Sequence, residues 1–467
     1  MGLPLKHPWP TVALAVLLGA AALMWPAFVN RYPILFSDSG AFLAQTVVPL
    51  MIWDKPWIYG PFAWVFHHHV SLWGTVVAQA VITSHLLWVL ARVAGGATPL
   101  RHVALCAGLA LFTALPFSVA IIMPDVLTPV AVLGAALLGW GWRGLTTAER
   151  IWLVVLASVA TASHLSNLPV VFAIAVLAVL LRAGWGVVGR AAIPLMGALA
   201  LLLVSNMIGH GRPSISPNGS VFLLARLIAD GPAARTIAAR CPEAGWYLCD
   251  FAGRLPTDAD EFLWDAASPM NRRPDGTDIF LGGVLLAPEA RVIINETLRR
   301  EPWTVARQGL ENFVTQIFRT GIGDTLDNRH IQGAVRPRLV EGFAAGEPAR
   351  FDGALQRREA LVPVGRAVAW LYPPVLALGG IAVLAWWWRL HRAGDRRRLG
   401  LMLALLVGVA GNALAAGALS GPHPRYQARI AWLVPLAAVL FWRPARPEEA
   451  FRTAASPPTG RPAAPSR

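Results

Sequence analysis

The stretch Phe36-Ser37-Asp38-Ser39-Gly40-Ala41-Phe42 places a carboxylate just after the first long apolar run of the chain. A carboxylate at such a boundary is unfavourable unless it is solvated, paired or used. Its small neighbours Ser37, Ser39 and Gly40 leave room for a substrate, so Asp38 can act as a general base towards an acceptor hydroxyl. The same residues make a good helix start with Asp38 as a capping acid; a capping aspartate still takes a proton, so both readings stand. A second acid, Asp125, follows Met123-Pro124 at the head of another apolar run, where the helix macrodipole also favours it. His164 sits in Ser163-His164-Leu165-Ser166-Asn167 between two short apolar runs, either lining a cavity or serving as a polar connection. His423, Arg425 and Tyr426 precede the last apolar run. The guanidinium fork of Arg425 suits a phosphate, although Arg and Tyr at span ends are also interfacial anchors. Lys55 and Tyr59, in Lys55-Pro56-Trp57-Ile58-Tyr59, can serve the same anion. His67-His68-His69 has the composition of a metal cluster, but adjacent residues on one helix point apart and cannot all reach one ion. No Walker, Rossmann or zincin pattern occurs, so nothing points to direct nucleotide use.

The elements that must position these residues are apolar. The chain has 467 residues, 55% hydrophobic and 14% charged, with a mean hydropathy of +0.52; a soluble domain would carry about a quarter charged residues. Its apolar residues come in blocks long enough to cross a hydrocarbon core of about 30 Å, without the period-two alternation of a membrane barrel. The expectation is an all-α polytopic membrane protein with about ten spans. They fall near residues 10–29, 71–91, 102–121, 126–142, 151–162, 168–181, 191–208, 366–388, 399–419 and 428–442. The first run is too long for a signal-peptide core and reads as a retained span. Short interfacial helices are expected in the first outer loop, around Ala41-Phe42-Leu43 and Val47-Val48-Pro49-Leu50, with Trp53, Trp57, Tyr59 and Trp64 at headgroup level. Four parts follow: a membrane module over 1–208, a periplasmic domain over 209–363, C-terminal spans over 364–442, and a disordered cytoplasmic tail over 443–467. Within the second part, 289–318 reads as one helix from its apolar spacing.

The net charge of +14 does not mean nucleic acid. Arg92, Arg101, Arg143, Arg150, Arg182, Arg190 and the cluster from Arg389 to Arg398 fall on one side of the counted spans, which the positive-inside rule makes cytoplasmic. Both termini come out on that side, the N-terminus with Lys6 and His7; Asp38, Asp125, His164 and Arg425 come out on the other. Of the three cysteines, Cys106 is a packing residue in an apolar run. Cys241 and Cys249 lie in the long outer segment, where a disulfide is expected and two reduced thiols are the rival state.

Taken in order, these pieces resemble the C-type (GT-C) superfamily of integral-membrane glycosyltransferases. The match is an acid after span 1 (Asp38), an interfacial Lys55-Pro-x-x-Tyr59, a second outer-turn acid (Asp125) and a late Arg425-Tyr426. The resemblance implies transfer of a sugar from a polyprenyl-phosphate-linked donor to an envelope glycan, lipid or protein, at the periplasmic face of a bacterial inner membrane. Asp38 and Asp125 would be catalytic. Lys55, Tyr59, His164, His423, Arg425 and Tyr426 would bind substrate, and a divalent ion at Asp125 is an open alternative. The 209–363 segment fits no member of the superfamily. The rival readings are a phosphoglycerol- or O-antigen-ligase-like transferase, a transporter or flippase, and a scaffold for envelope assembly.

Overall fold

The computed structural model describes residues 8–48 and 51–442. Lys6, His7, Pro49, Leu50 and the expected tail over 443–467 lie outside the described residues. The described chain is helical, with no strand beyond two isolated bridges.

In order, the helices are α1 (Trp9–Leu23), α2 (Trp25–Asn30), α3 (Ser37–Val47), α4 (Tyr59–His67), α5 (Trp73–Val93), α6 (Pro99–Phe112), α7 (Leu115–Ala120), α8 (Leu127–Ala136), α9 (Thr147–Ala162), α10 (Asn167–Leu180) and α11 (Trp185–His210). The segment over 209–363 adds α12 (Ser220–Ala229), α13 (Pro232–Arg240), α14 (Ala259–Trp264), α15 (Gly282–Arg300), α16 (Pro302–Phe318), α17 (Ile331–Ala334), α18 (Arg336–Gly342) and α19 (Glu347–Asp352). The chain closes with α20 (Leu361–Ala369), α21 (Tyr372–Arg392), α22 (Arg396–Leu419), α23 (Pro424–Ala431) and α24 (Leu433–Phe441).

Among the described residues, five helical stretches are long and apolar enough to cross a membrane: Trp73–Val93, Pro124–Gly144, Trp185–His210, Leu361–Arg392 and Arg396–Leu419. Each of the other apolar runs is helical but shorter or broken. The first is interrupted at Met24 between α1 and α2, and the third at Thr113-Ala114 between α6 and α7. α9 and α10 have 16 and 14 residues, about 24 and 21 Å of rise. The stretch Pro124–Gly144, which contains α8, is apolar all round and almost wholly buried, so it is the centre of the bundle. α11 and α21 instead turn large apolar side chains outward: Ile208 is 73% exposed and Leu378 67%. Such faces suit hydrocarbon.

The expected single helix over 289–318 is two, α15 and α16, parted at Glu301-Pro302. Proline has no amide hydrogen and clashes with the preceding turn, so it starts α16 where it could not continue α15.

The segment over 209–363 divides between two cores. Val221, Leu224, Ile237, Leu248, Phe262 and Ile293 make a separate core for α12–α15. Ile322, Leu326, Val335, Leu339 and Phe351 instead join the main bundle core. The join is polar as well. Gln356 brackets the Leu35 peptide, its Oε1 accepting from Leu35 N at 3.1 Å and its Nε2 donating to Leu35 O at 2.6 Å. Glu347 Oε1 accepts from Tyr32 Oη at 2.8 Å and Leu72 N at 2.8 Å. Trp53 sits not at a free interface but against Phe222 and Trp264 of the smaller core.

Cys241 and Cys249 are disulfide-bonded, with S–S 2.02 Å. Closing so short a loop restricts the unfolded chain by about 2–3 kcal/mol. Cys241→Ser with Cys249→Ser is therefore expected to expose the α12–α15 core to proteolysis at lower denaturant, leaving the apolar helices resistant; equal cleavage of both proteins would contradict it.

Candidate functional site

The backbone brings the first loop and the turn before α8 together. Ile34 N–H donates to Ala120 O at 2.9 Å and Ile122 N–H to Ile34 O at 3.0 Å, a one-residue bridge. Ser39 locks the next turn: its Oγ accepts from Phe36 N at 2.9 Å and donates to Ile122 O at 2.9 Å. Asp38, in the first turn of α3, is thereby set beside Asp125, in the short turn that leads into α8. Gly40 lets α17 pass close by; a Cβ there would meet Ala334 O at 2.0 Å.

Three cations complete the group. Lys55 Nζ lies 3.3 Å from Asp38 Oδ1 and also pairs with Asp54. Arg425 Nη2 is 3.8 Å from Asp38 Oδ2, and its Nε is 4.0 Å from Asp125 Oδ1. Arg429, one turn further along α23, puts Nη1 3.6 Å from Asp125 Oδ1. The guanidinium of Arg425 lies 4.3 Å from the Phe36 ring centre and 5.1 Å from that of Tyr426, so two rings restrain its plane. Its contacts to both carboxylates are beyond hydrogen-bond length, and its Nη1 is buried without a hydrogen-bond partner. Its donors therefore remain available to an incoming oxyanion.

His164 belongs to the same group through Ser166. Ser166 N–H and Oγ lie 3.3 and 2.7 Å from His164 Nδ1, and Arg429 Nη2 donates to Ser166 Oγ at 3.1 Å. With Nδ1 accepting, the ring proton sits on Nε2. Burial, then the charges of Arg429, Arg425 and Lys55, pushes His164 well below the usual imidazole range, so it is neutral. Burial pushes the Asp38 carboxyl up, but Lys55 and Arg425 outweigh it, leaving Asp38 below the usual carboxylate range and ionised. Asp38 also keeps 30% of its side chain exposed, against 3% for Asp125. The reachable carboxylate is therefore Asp38, while Asp125 is enclosed between two guanidinium groups.

The remaining expected residues fall around this centre. Tyr426 stands between Arg425, Arg429 and the imidazole of His164. His423 is at the rim, its Nε2 3.6 Å from Asp260 Oδ2. Tyr59 is wholly buried, and its hydroxyl donates to Gln79 Oε1 at 2.7 Å. That side chain is committed to packing behind the cluster rather than to a ligand. The three histidines do not converge on one point. His69 Nε2 is 3.2 Å from Thr46 Oγ1, and the rings of His67 and His69 pack on Phe343.

Arg429 is the residue the sequence reading passed over. It is a charge inside an apolar run, Ala428-Arg429-Ile430-Ala431-Trp432, and four residues after Arg425 it shares a helix face with it. It is 1% exposed and donates to Asn412 Oδ1 at 2.9 Å. Each carboxylate faces a cation, Asp38 facing Lys55 and Asp125 facing Arg429. No group of three or more His, Cys, Asp or Glu side chains suited to a metal occurs among the described residues.

The arrangement pairs an accessible carboxylate, able to take a proton, with a restrained guanidinium and a neutral imidazole, able to receive negative charge. Compared with protein-family models, curated proteins and solved structures, the chain matches none.

Proposed function

We propose that this chain is a membrane glycosyltransferase resembling the C-type superfamily, moving a sugar from a polyprenyl-phosphate-linked donor to an acceptor at the outer face of a bacterial inner membrane. The observation that carries this reading is the meeting of Asp38, Lys55, Asp125, His164 and Arg425 in one group, although they come from separate parts of the chain.

In this reading the helical runs make about ten crossings, with α1–α2, α6–α7, α9, α10 and α23–α24 as the shorter or broken ones. The connector holding His164 then lies below the outer surface, because α9 and α10 are shorter than the hydrocarbon is thick. Arg92, Arg143, Arg150 and Arg190 lie at the helix ends away from the cluster, near Glu149 and the carbonyls that close the α8 run. That asymmetry supports both termini inside.

The chemistry needs no nucleotide, because the donor arrives activated. Arg425, with Lys55 beside it, receives the donor phosphate. Asp38 takes the proton of the acceptor hydroxyl while that oxygen bonds to the anomeric carbon. The bond from that carbon to the phosphate oxygen breaks, and the charge left on phosphate falls on Arg425 and the Nε2–H of His164. Asp125 fixes both guanidinium groups.

The test compares the outer-envelope glycans and lipid-linked sugars of cells lacking the chain with those of cells carrying it. Loss of one sugar residue from a glycan, with its lipid-phosphate sugar accumulating on the outer leaflet, is the expected result. Accumulation on the inner leaflet would make the chain a flippase, and unchanged glycans would remove the transferase reading.

A further inference from the structure

The outer segment reaches into the cluster through α14. Lys55 Nζ, 3.3 Å from Asp38, lies 5.6 Å from the centre of the Trp264 ring at the end of that helix. On the same helix, Asp260 Oδ2 lies 3.6 Å from His423 Nε2, beside Arg425. One short helix of the smaller core thus touches both rims of the group.

Trp264 is held in place. Its ring lies 6.1 Å from Trp53 and 6.2 Å from Phe222, which themselves stack at 5.8 Å. Trp53 can enter only because residue 283 is glycine; a Cβ there would meet its ring at 2.4 Å. Trp264 nevertheless remains 49% exposed. A fixed indole that keeps about half its surface exposed is either an interfacial anchor or a binding platform. Its helix decides between them. Asp258, Asp260, Glu261 and Asp265 crowd α14 and its ends, and anionic lipid headgroups repel such a segment. The Asp258 carboxylate caps the helix by accepting from Asp260 N and Glu261 N, whereas the Asp260 side chain stays 55% exposed.

An indole face next to an exposed carboxylate matches a pyranose ring, which has an apolar C–H face and a fringe of hydroxyl donors. We propose that Trp264 and Asp260 form the acceptor subsite, and that the acceptor is a glycan. This rests on the transferase reading and narrows it: the sugar ring stacks on Trp264 and presents a hydroxyl towards Asp38. It also gives the outer segment a function, the choice of acceptor.

The test is saturation-transfer NMR on the full chain in detergent, with cellotetraose, mannotetraose and chitotetraose as probes. At least one is expected to receive saturation on its ring protons from the wild type and from Asp38→Asn. The signal should fall about tenfold in Trp264→Ala and survive in Trp264→Phe. The Phe variant keeps an aromatic ring against Trp53 and Phe222 and so controls for folding. Absence of binding by all three probes, or equal binding by Trp264→Ala, overturns the subsite. Failure of the wider reading looks different: Trp264-dependent sugar binding in a protein whose Asp38→Asn variant leaves envelope glycans unchanged keeps the platform and removes the transferase. Loss of transfer in Asp38→Asn, with transfer and binding untouched in Trp264→Ala, does the reverse.

Discussion

Asp38→Asn is expected to fold, reach the membrane and lose sugar transfer by about a hundredfold to ten-thousandfold, the usual contribution of a positioned general base. The substitution keeps the shape of the side chain and removes only its charge and basicity. Lys55 retains Asp54, and Arg425 retains Asp125, so neither cation is stranded. The pH dependence gives a second readout. The catalytic form is the carboxylate, and its affinity for protons is lowered by Lys55 and Arg425 against the effect of burial. Activity should therefore persist as pH falls through the usual carboxylate range and decline only below it. Lys55→Met removes one of the two charges that hold the carboxyl down, so the acid limb should move to higher pH. Full transfer by Asp38→Asn, or an acid limb indifferent to Lys55, would take the base role away from this residue.

The helical, apolar character of the chain was legible because hydropathy reports where long apolar helices fall, five of which are long enough to cross a membrane among the described residues. All ten expected runs are helical, and breaks such as those at Met24, Thr113-Ala114 and Trp432 subdivide them. The grouping of Asp38 with Asp125 was expected from their positions after apolar runs, and the structure brings both to Arg425. What brings their two segments together was not: one backbone bridge at Ile34 and the hydroxyl of Ser39 are tertiary facts with no sequence signature. Tyr59 shows the limit of reading by residue type, because a tyrosine beside a polar loop can equally turn inward to Gln79. The division of the 209–363 segment was hidden for a related reason. Its apolar residues are sparse throughout, and only packing reveals that Val221 and Ile293 share one core while Val335 and Phe351 join another. Pro302 and Arg429, by contrast, go unread in the expectations although the sequence carries a signal for each. A proline inside a helical pattern and a charge inside an apolar run are both signals that stand alone.

Arg429→Met is expected to be the most destabilising single change in the cluster. Arg429 and Asp125 are almost completely enclosed, 1% and 3% exposed. Removing the cation leaves the Asp125 carboxylate with only Arg425, at 4.0 Å; breaking a buried pair in this way costs about 3–5 kcal/mol. Replacing both members with apolar residues of similar size removes the stranded charge, so Arg429→Met with Asp125→Leu should recover most of the loss. The double variant then separates the two roles open to Asp125. If the acid only neutralises Arg429, the recovered protein should transfer sugar. If it aligns the guanidinium of Arg425, as their shared contact to Asp125 Oδ1 indicates, the recovered protein should fold and remain inactive. The second outcome is expected, measured as thermal unfolding in detergent beside transfer in the same preparations. A single Arg429→Met as stable as the wild type would show that the pair holds nothing together.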